Sequence, residues 1–144
     1  MKNNIILLCL FGVFQMFSQQ NVTWEDLSKV TFSEKYFPAY DEPFLYPDFG
    51  TQVQNLDGKK ITIQGYFLNL DPEGNIYVLS KNPMASCFFC GMGGPETAIE
   101  LQFNAKSHFK TDQIVRITGV FKLNKDDLEH CNYILTNCTG VLLE

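Results

Sequence analysis

The sequence predicts a mainly β protein built on one five-stranded barrel, and three observations predict it. Apolar and polar residues alternate through Thr97–Phe103 and Val115–Leu123, which is the period of a strand. Turn residues, Asp57-Gly58 and Asp71-Pro72-Glu73-Gly74, bound such runs. Gly65 and Gly119 fall inside long runs, where the strands of a closing barrel have to turn corners.

In chain order, residues 1–19 are expected to be a signal peptide. Lys2 precedes an apolar core from Ile5 to Phe17, which is too short to span a bilayer, and Ser18-Gln19 offers a small-residue cleavage zone. Cys9 sits in the middle of that core, not after small residues at its end, so it does not read as a lipid-anchored cysteine. Residues 20–56 follow as an N-terminal helix and arm. Thr23 can cap a helix from Trp24 to about Val30, with Asp26 three residues on as a weaker form of the capping box. The arm carries Phe32, Tyr36, Phe37, Tyr40, Phe44, Tyr46 and Phe49, interrupted by Pro38, Pro43 and Pro47, which exclude a helix. Its rings are expected to wrap the barrel and bury themselves on it.

Residues 57–144 form the barrel. The first strand runs from Lys59 to Leu70. Ile61 and Ile63 share a face, and past Gly65 the apolar positions pass to Tyr66, Leu68 and Leu70, which suggests a bulge or bend at the glycine. Asn75–Ser80, Thr97–Phe103, Val115–Leu123 and Tyr133–Leu143 supply the other four, with a non-strand link from Asn104 to Asp112. One long bent strand, a hairpin, a short link and a hairpin-like return make the order of the OB-fold, a five-stranded Greek-key barrel. In that order the third and fifth strands lie side by side and parallel.

The runs Thr23-Trp24-Glu25-Asp26-Leu27, Tyr36-Phe37-Pro38 and Leu56-Asp57-Gly58-Lys59-Lys60-Ile61-Thr62-Ile63-Gln64-Gly65-Tyr66-Phe67-Leu68 resemble a family of exported bacterial proteins of unknown function. The resemblance extends over most of the chain beyond the signal segment. It implies export and an OB-like barrel behind a tryptophan-bearing helix, and it brings no activity with it.

Charge narrows the partners. The 144-residue chain carries a net charge of −5, and losing Lys2, the one charged residue before Gln20, takes it to −6. Phosphate backbones and anionic membrane surfaces want Lys and Arg, so a nucleic-acid partner is not expected, nor is a membrane span. No nucleophile–base triad, phosphate loop or paired catalytic carboxylates stand out, and a non-enzymatic module is expected.

The chemical feature is a cysteine set. Removing Cys9 leaves Cys87, Cys90, Cys131 and Cys138. Cys87-Phe88-Phe89-Cys90-Gly91 has the spacing of a metal knuckle, in which two thiolates grip one ion and the glycine makes the tight turn. Parallel third and fifth strands would bring His130 and Cys131 beside that loop. Cys138 lies seven residues further, roughly 23 Å along a straight strand. Three readings follow. An even cysteine count in an exported chain fits disulfides. A zinc or copper site would use Cys87, Cys90, Cys131 and either Cys138 or His130, with Met84 or Met92 as further soft donors for Cu(I). A thiol–disulfide catalyst would want its cysteines to open a helix, which Gly91, Gly93, Gly94 and Pro95 deny. A binding module with a metal site is preferred to a disulfide-stapled interaction domain for an unknown protein partner, because the knuckle spacing is tighter than a staple requires. His108 and the acidic run Asp126, Asp127 and Glu129 read as solvated.

Overall fold

The computed structural model describes residues 19–144 apart from 72, 74 and 75. All but the last residue of the expected signal peptide therefore lies outside the described residues, as does half of the Asp71–Gly74 turn. Among the described residues no helix is long and apolar enough to cross a membrane.

Strands β1 (Gln20–Asn21), β2 (Val30–Phe37), β3 (Glu42–Phe49), β4 (Lys60–Asp71), β5 (Ile76–Ser80), β6 (Ala98–Leu101), β7 (Ile114–Leu123) and β8 (Tyr133–Leu142) are joined by two short helices, α1 (Trp24–Leu27) and α2 (Thr51–Gln54). The barrel is closed: β4, β5, β6, β8 and β7 pair in that order, and β7 returns to β4. The expected parallel neighbours are present, with Glu100 opposite Ile134 and Leu101 opposite Leu135 between β6 and β8. This is the strand order expected of an OB-like barrel.

The helix is shorter than expected. Thr23 caps it as a capping box, its hydroxyl accepting from Asp26 N while Asp26 Oδ2 accepts from Thr23 N at 2.8 Å. It ends at Leu27 because Val30 already pairs with Phe49 as the start of β2.

The arm is not a wrap but a β2–β3 hairpin standing as a separate two-stranded sheet. Pro43 and Pro47 are tolerated on β3 because it pairs on one side only, with β2, so a missing N–H on its free side breaks no ladder bond. The rings stack mainly on one another: Phe37 and Phe44 meet edge to face at 5.8 Å, as do Tyr40 and Phe44 at 5.7 Å. Tyr36 and Tyr40 stay exposed, and only Phe49, at the hairpin base, joins the barrel core. Lys35 lies 3.8 Å from the centre of the Tyr46 ring and pairs with Asp126 at 3.4 Å, tying the hairpin to the β7–β8 loop.

The phase switch read at Gly65 has a different cause. The inward phase continues through Ile61, Ile63 and Phe67, all in the barrel core. Leu68, with Tyr66 and Leu70 beside it, belongs to a second apolar layer on the outer face, completed by Val78, Ala98, Cys87, Met84 and Phe88. The second half of β4 is thus covered on both faces. Gly65 marks the point where β4 passes from β7 to β5, since Tyr66 pairs with both Ile114 and Ser80.

Candidate functional site

The segment between β5 and β6 folds as three 3-10 turns, Met84–Ser86, Phe88–Cys90 and Pro95–Thr97. Gly91 and Gly93 adopt φ of 80° and 83°, which a side chain resists and glycine does not. Asp112, in the link before β7, accepts a hydrogen bond from Met84 N at 2.7 Å and holds the loop down. Cys87 then becomes the inward anchor of the outer apolar layer, 1% exposed, while Cys90 faces solvent.

This folding brings the Cys87 and Cys90 sulfurs to 3.8 Å. Cys87 Sγ donates to Cys90 Sγ, which in turn donates to Met84 O at 3.1 Å. The hydrogen bond to Cys87, with smaller contributions from desolvation and the neighbouring thiol's charge, pushes the Cys90 thiol above its ordinary value. All four described cysteines are free thiols. Met84 packs into the outer layer, whereas Met92 is exposed.

The other expected ligands make contacts of their own. Cys138 lies in the barrel core because Asn137, at φ 52°, makes a bulge: the register between β7 and β8 shifts between Thr118 and Val120, and Cys138 turns inward. Its sulfur donates to Leu135 O at 3.1 Å, and burial pushes its thiol up to about 12. Cys131 precedes β8, and its backbone N–H donates to Glu100 Oε2 at 3.3 Å. Desolvation, then the Glu100 charge, raises its thiol to about 12. Among the described residues no three or more His, Cys, Asp or Glu side chains converge as a metal site.

His130 pairs with a carboxylate. Its Nδ1 lies 2.9 Å from both oxygens of Glu100, whose Oε1 also accepts from Gln102 Nε2 at 2.9 Å. Asn124 Nδ2 donates to the carbonyls of Asp127, His130 and Cys131 and shapes the loop that presents the imidazole. The Glu100 hydrogen bond and then its charge raise the His130 pKa above 6.5. A raised folded-state value means the pair stabilises the fold fully below the unfolded value near 6.5 and loses that contribution as pH rises through the folded value. An NMR titration of His130 is expected to show a midpoint above 6.5 that falls in Glu100→Gln. An unchanged midpoint in that variant would remove the pair as the cause.

The topological expectation holds in part. Cys131 and His130 do line the same concavity as the cysteine loop, through Phe88, Phe89 and Pro95. This cleft, of about 400 Å³, is walled on its other sides by Phe44 and Leu45 of the hairpin and by Ile76 and Val78 of β5. It lies over the second and third barrel strands and beside the loop between the last two. Sequence reasoning missed Glu100, although an acidic residue in the outward phase between Ala98 and Gln102 was the signal. It also missed Leu45, and placed Phe44 on a wrapping arm, because the hairpin that carries them went unread.

No protein-family model matches the chain, and no curated protein does. Among solved structures, the crystal structure of a DUF3299 family protein from Pseudomonas aeruginosa PAO1 is similar in fold, with a TM-score of 0.58 and 13% sequence identity. The match covers 88% of this chain and 97% of that one, so what the two share is the architecture of the whole domain.

Proposed function

We propose that the protein is an exported binding module whose Cys87–Cys90 loop holds a soft metal ion, zinc or Cu(I), through two thiolates. The observation that carries this reading is the 3.8 Å between the two sulfurs. Two thiolates at about 2.3 Å from a tetrahedral zinc ion stand about 3.8 Å apart, so the thiols are already at the separation the ion needs. Gly91 in the left-handed region supplies the turn of a metal knuckle. Water, or a donor from a partner protein, would complete the coordination. Export rests on the Lys2 and Ile5–Phe17 pattern of the sequence.

The two thiols must lose their protons to bind, and the one at Cys90 is held up by its neighbour. Affinity is therefore expected to rise with pH. Native and denatured mass spectrometry of the purified protein, followed by zinc and Cu(I) titration, tests the reading. One bound metal with free thiols is expected. Cys90→Ser, at an exposed position, is expected to lower affinity by more than the roughly 10–100-fold that loss of a supporting hydrogen bond costs a metal site.

The same geometry favours one other reading, a local disulfide in a structural interaction domain. The sulfurs would have to close to about 2.05 Å. A mass two hydrogens lower and no metal in the native spectrum would select that reading and end the first.

A further inference from the structure

We propose that the cleft between β3 of the hairpin, the cysteine loop and the β7–β8 loop binds an organic ammonium ion carrying an apolar tail. The site is separate from the paired thiols, since neither Cys87 nor Cys90 lines it.

The tail is argued from the walls. Leu45, Ile76 and Phe89 are large apolar side chains left 51%, 51% and 47% exposed, and all three converge on this one concavity. Single exposed apolar residues are ordinary, whereas a convergent set in a concave site marks a binding surface. Three separate elements of the chain supply them, so the concavity is a product of the tertiary fold. A volume of about 400 Å³ lies within the range of small-molecule sites.

The charge is argued from the rim. Glu100, Asp127 and Glu129 line the cleft, and no Lys or Arg does among the described residues. His130 is the one group there that can be positive, and its Nδ1 faces Glu100. Three carboxylates against one imidazole leave the lining at −2 with His130 protonated and −3 with it neutral. An anionic headgroup or phosphate meets repulsion in either state, and a neutral ligand gains nothing from the field. A cation gains from the carboxylates, and the aromatic side chains of Phe88 and Phe89 line the same cleft.

Three probes of one chain length separate tail from charge: n-octylammonium, n-octanol and n-octanoate, each titrated into the purified protein and followed by amide chemical shifts. Octylammonium is expected to bind about tenfold or more tightly than octanoate, with shifts centred on Leu45, Phe89, Glu129 and Cys131. Glu129→Gln is expected to weaken the ammonium probe severalfold and leave octanol unchanged. Leu45→Ser, at an exposed site, is expected to weaken ammonium and alcohol alike. Octanoate binding as well as octylammonium, shifts centred elsewhere, or no effect of either substitution would each overturn the proposal. Metal binding in Cys90→Ser reads on the thiol pair alone, so either site can fail without the other.

Discussion

Phe121→Ala is expected to lower the free energy of unfolding by about 3–5 kcal/mol, measured by urea or guanidinium denaturation. Phe121 is fully buried on β7, the strand that pairs with both β4 and β8. Its ring lies 5.4 Å from that of Tyr133, which lies 5.7 Å from Phe49 at the base of the hairpin. Tyr133 in turn donates its hydroxyl to Leu27 O at 2.7 Å and so fixes the end of α1. One truncation therefore opens a cavity where the barrel, hairpin and helix meet, and the neighbours are too well anchored to collapse into it. A domain of this size has about 5–15 kcal/mol of stability in all, so the loss would be visible in every probe of folding. A change below about 1.5 kcal/mol would mean that the site relaxes, and that the three elements are not held through this stack.

β7 was legible because one of its faces is in water. Val115, Ile117 and Phe121 keep a strict inward phase along β7, and their partners Arg116 and Lys122 are exposed. Burial on two faces defeats that logic. On β4, Phe67 faces the barrel and Leu68 faces the cysteine loop, so the sequence shows apolar residues at consecutive positions and imitates a change of phase. The hairpin failed for another reason. Pro43 and Pro47 argue against a strand in a central sheet but are admissible on an isolated two-stranded one, and nothing local distinguishes the two cases.

The candidate site divides along similar lines. Cys87 and Cys90 were legible because their pairing is local, three residues apart. Cys131 and His130 came within reach of the loop by topology alone, since β6 and β8 are parallel. Topology fixes which strand ends are neighbours and not where a side chain points: His130 turns to Glu100, and the bulge at Asn137 sends Cys138 into the core. A single residue in the left-handed conformation moved Cys138 from one face of its strand to the other, which is a one-residue register effect that no spacing rule foresees.

Gly65→Val is expected to destabilise the protein at or above the upper end of the roughly 1–3 kcal/mol that overpacking costs. The glycine is required by proximity. A Cβ there would stand 2.6 Å from the backbone oxygen of Ser80, 3.0 Å from the Trp24 ring and 3.1 Å from Leu79. The oxygen belongs to β5, which pairs with both β4 and β6 and cannot retreat without losing its ladder. Trp24 is held against this spot by its indole N–H, which donates to Gln64 O at 2.8 Å, so it cannot swing aside and keep that bond. The substitution should therefore lift Trp24 from the barrel as well as strain β4. Trp24 is the sole tryptophan of the chain, which makes its fluorescence a local reporter. Both a lowered melting temperature and a shift of the folded-state emission toward that of solvated indole are expected. Gly65→Ala should show the same two changes at smaller size. A stable Gly65→Val with unchanged emission would refute the close packing of α1 on the bend of β4, and with it the account of why this strand carries a glycine where it changes partners.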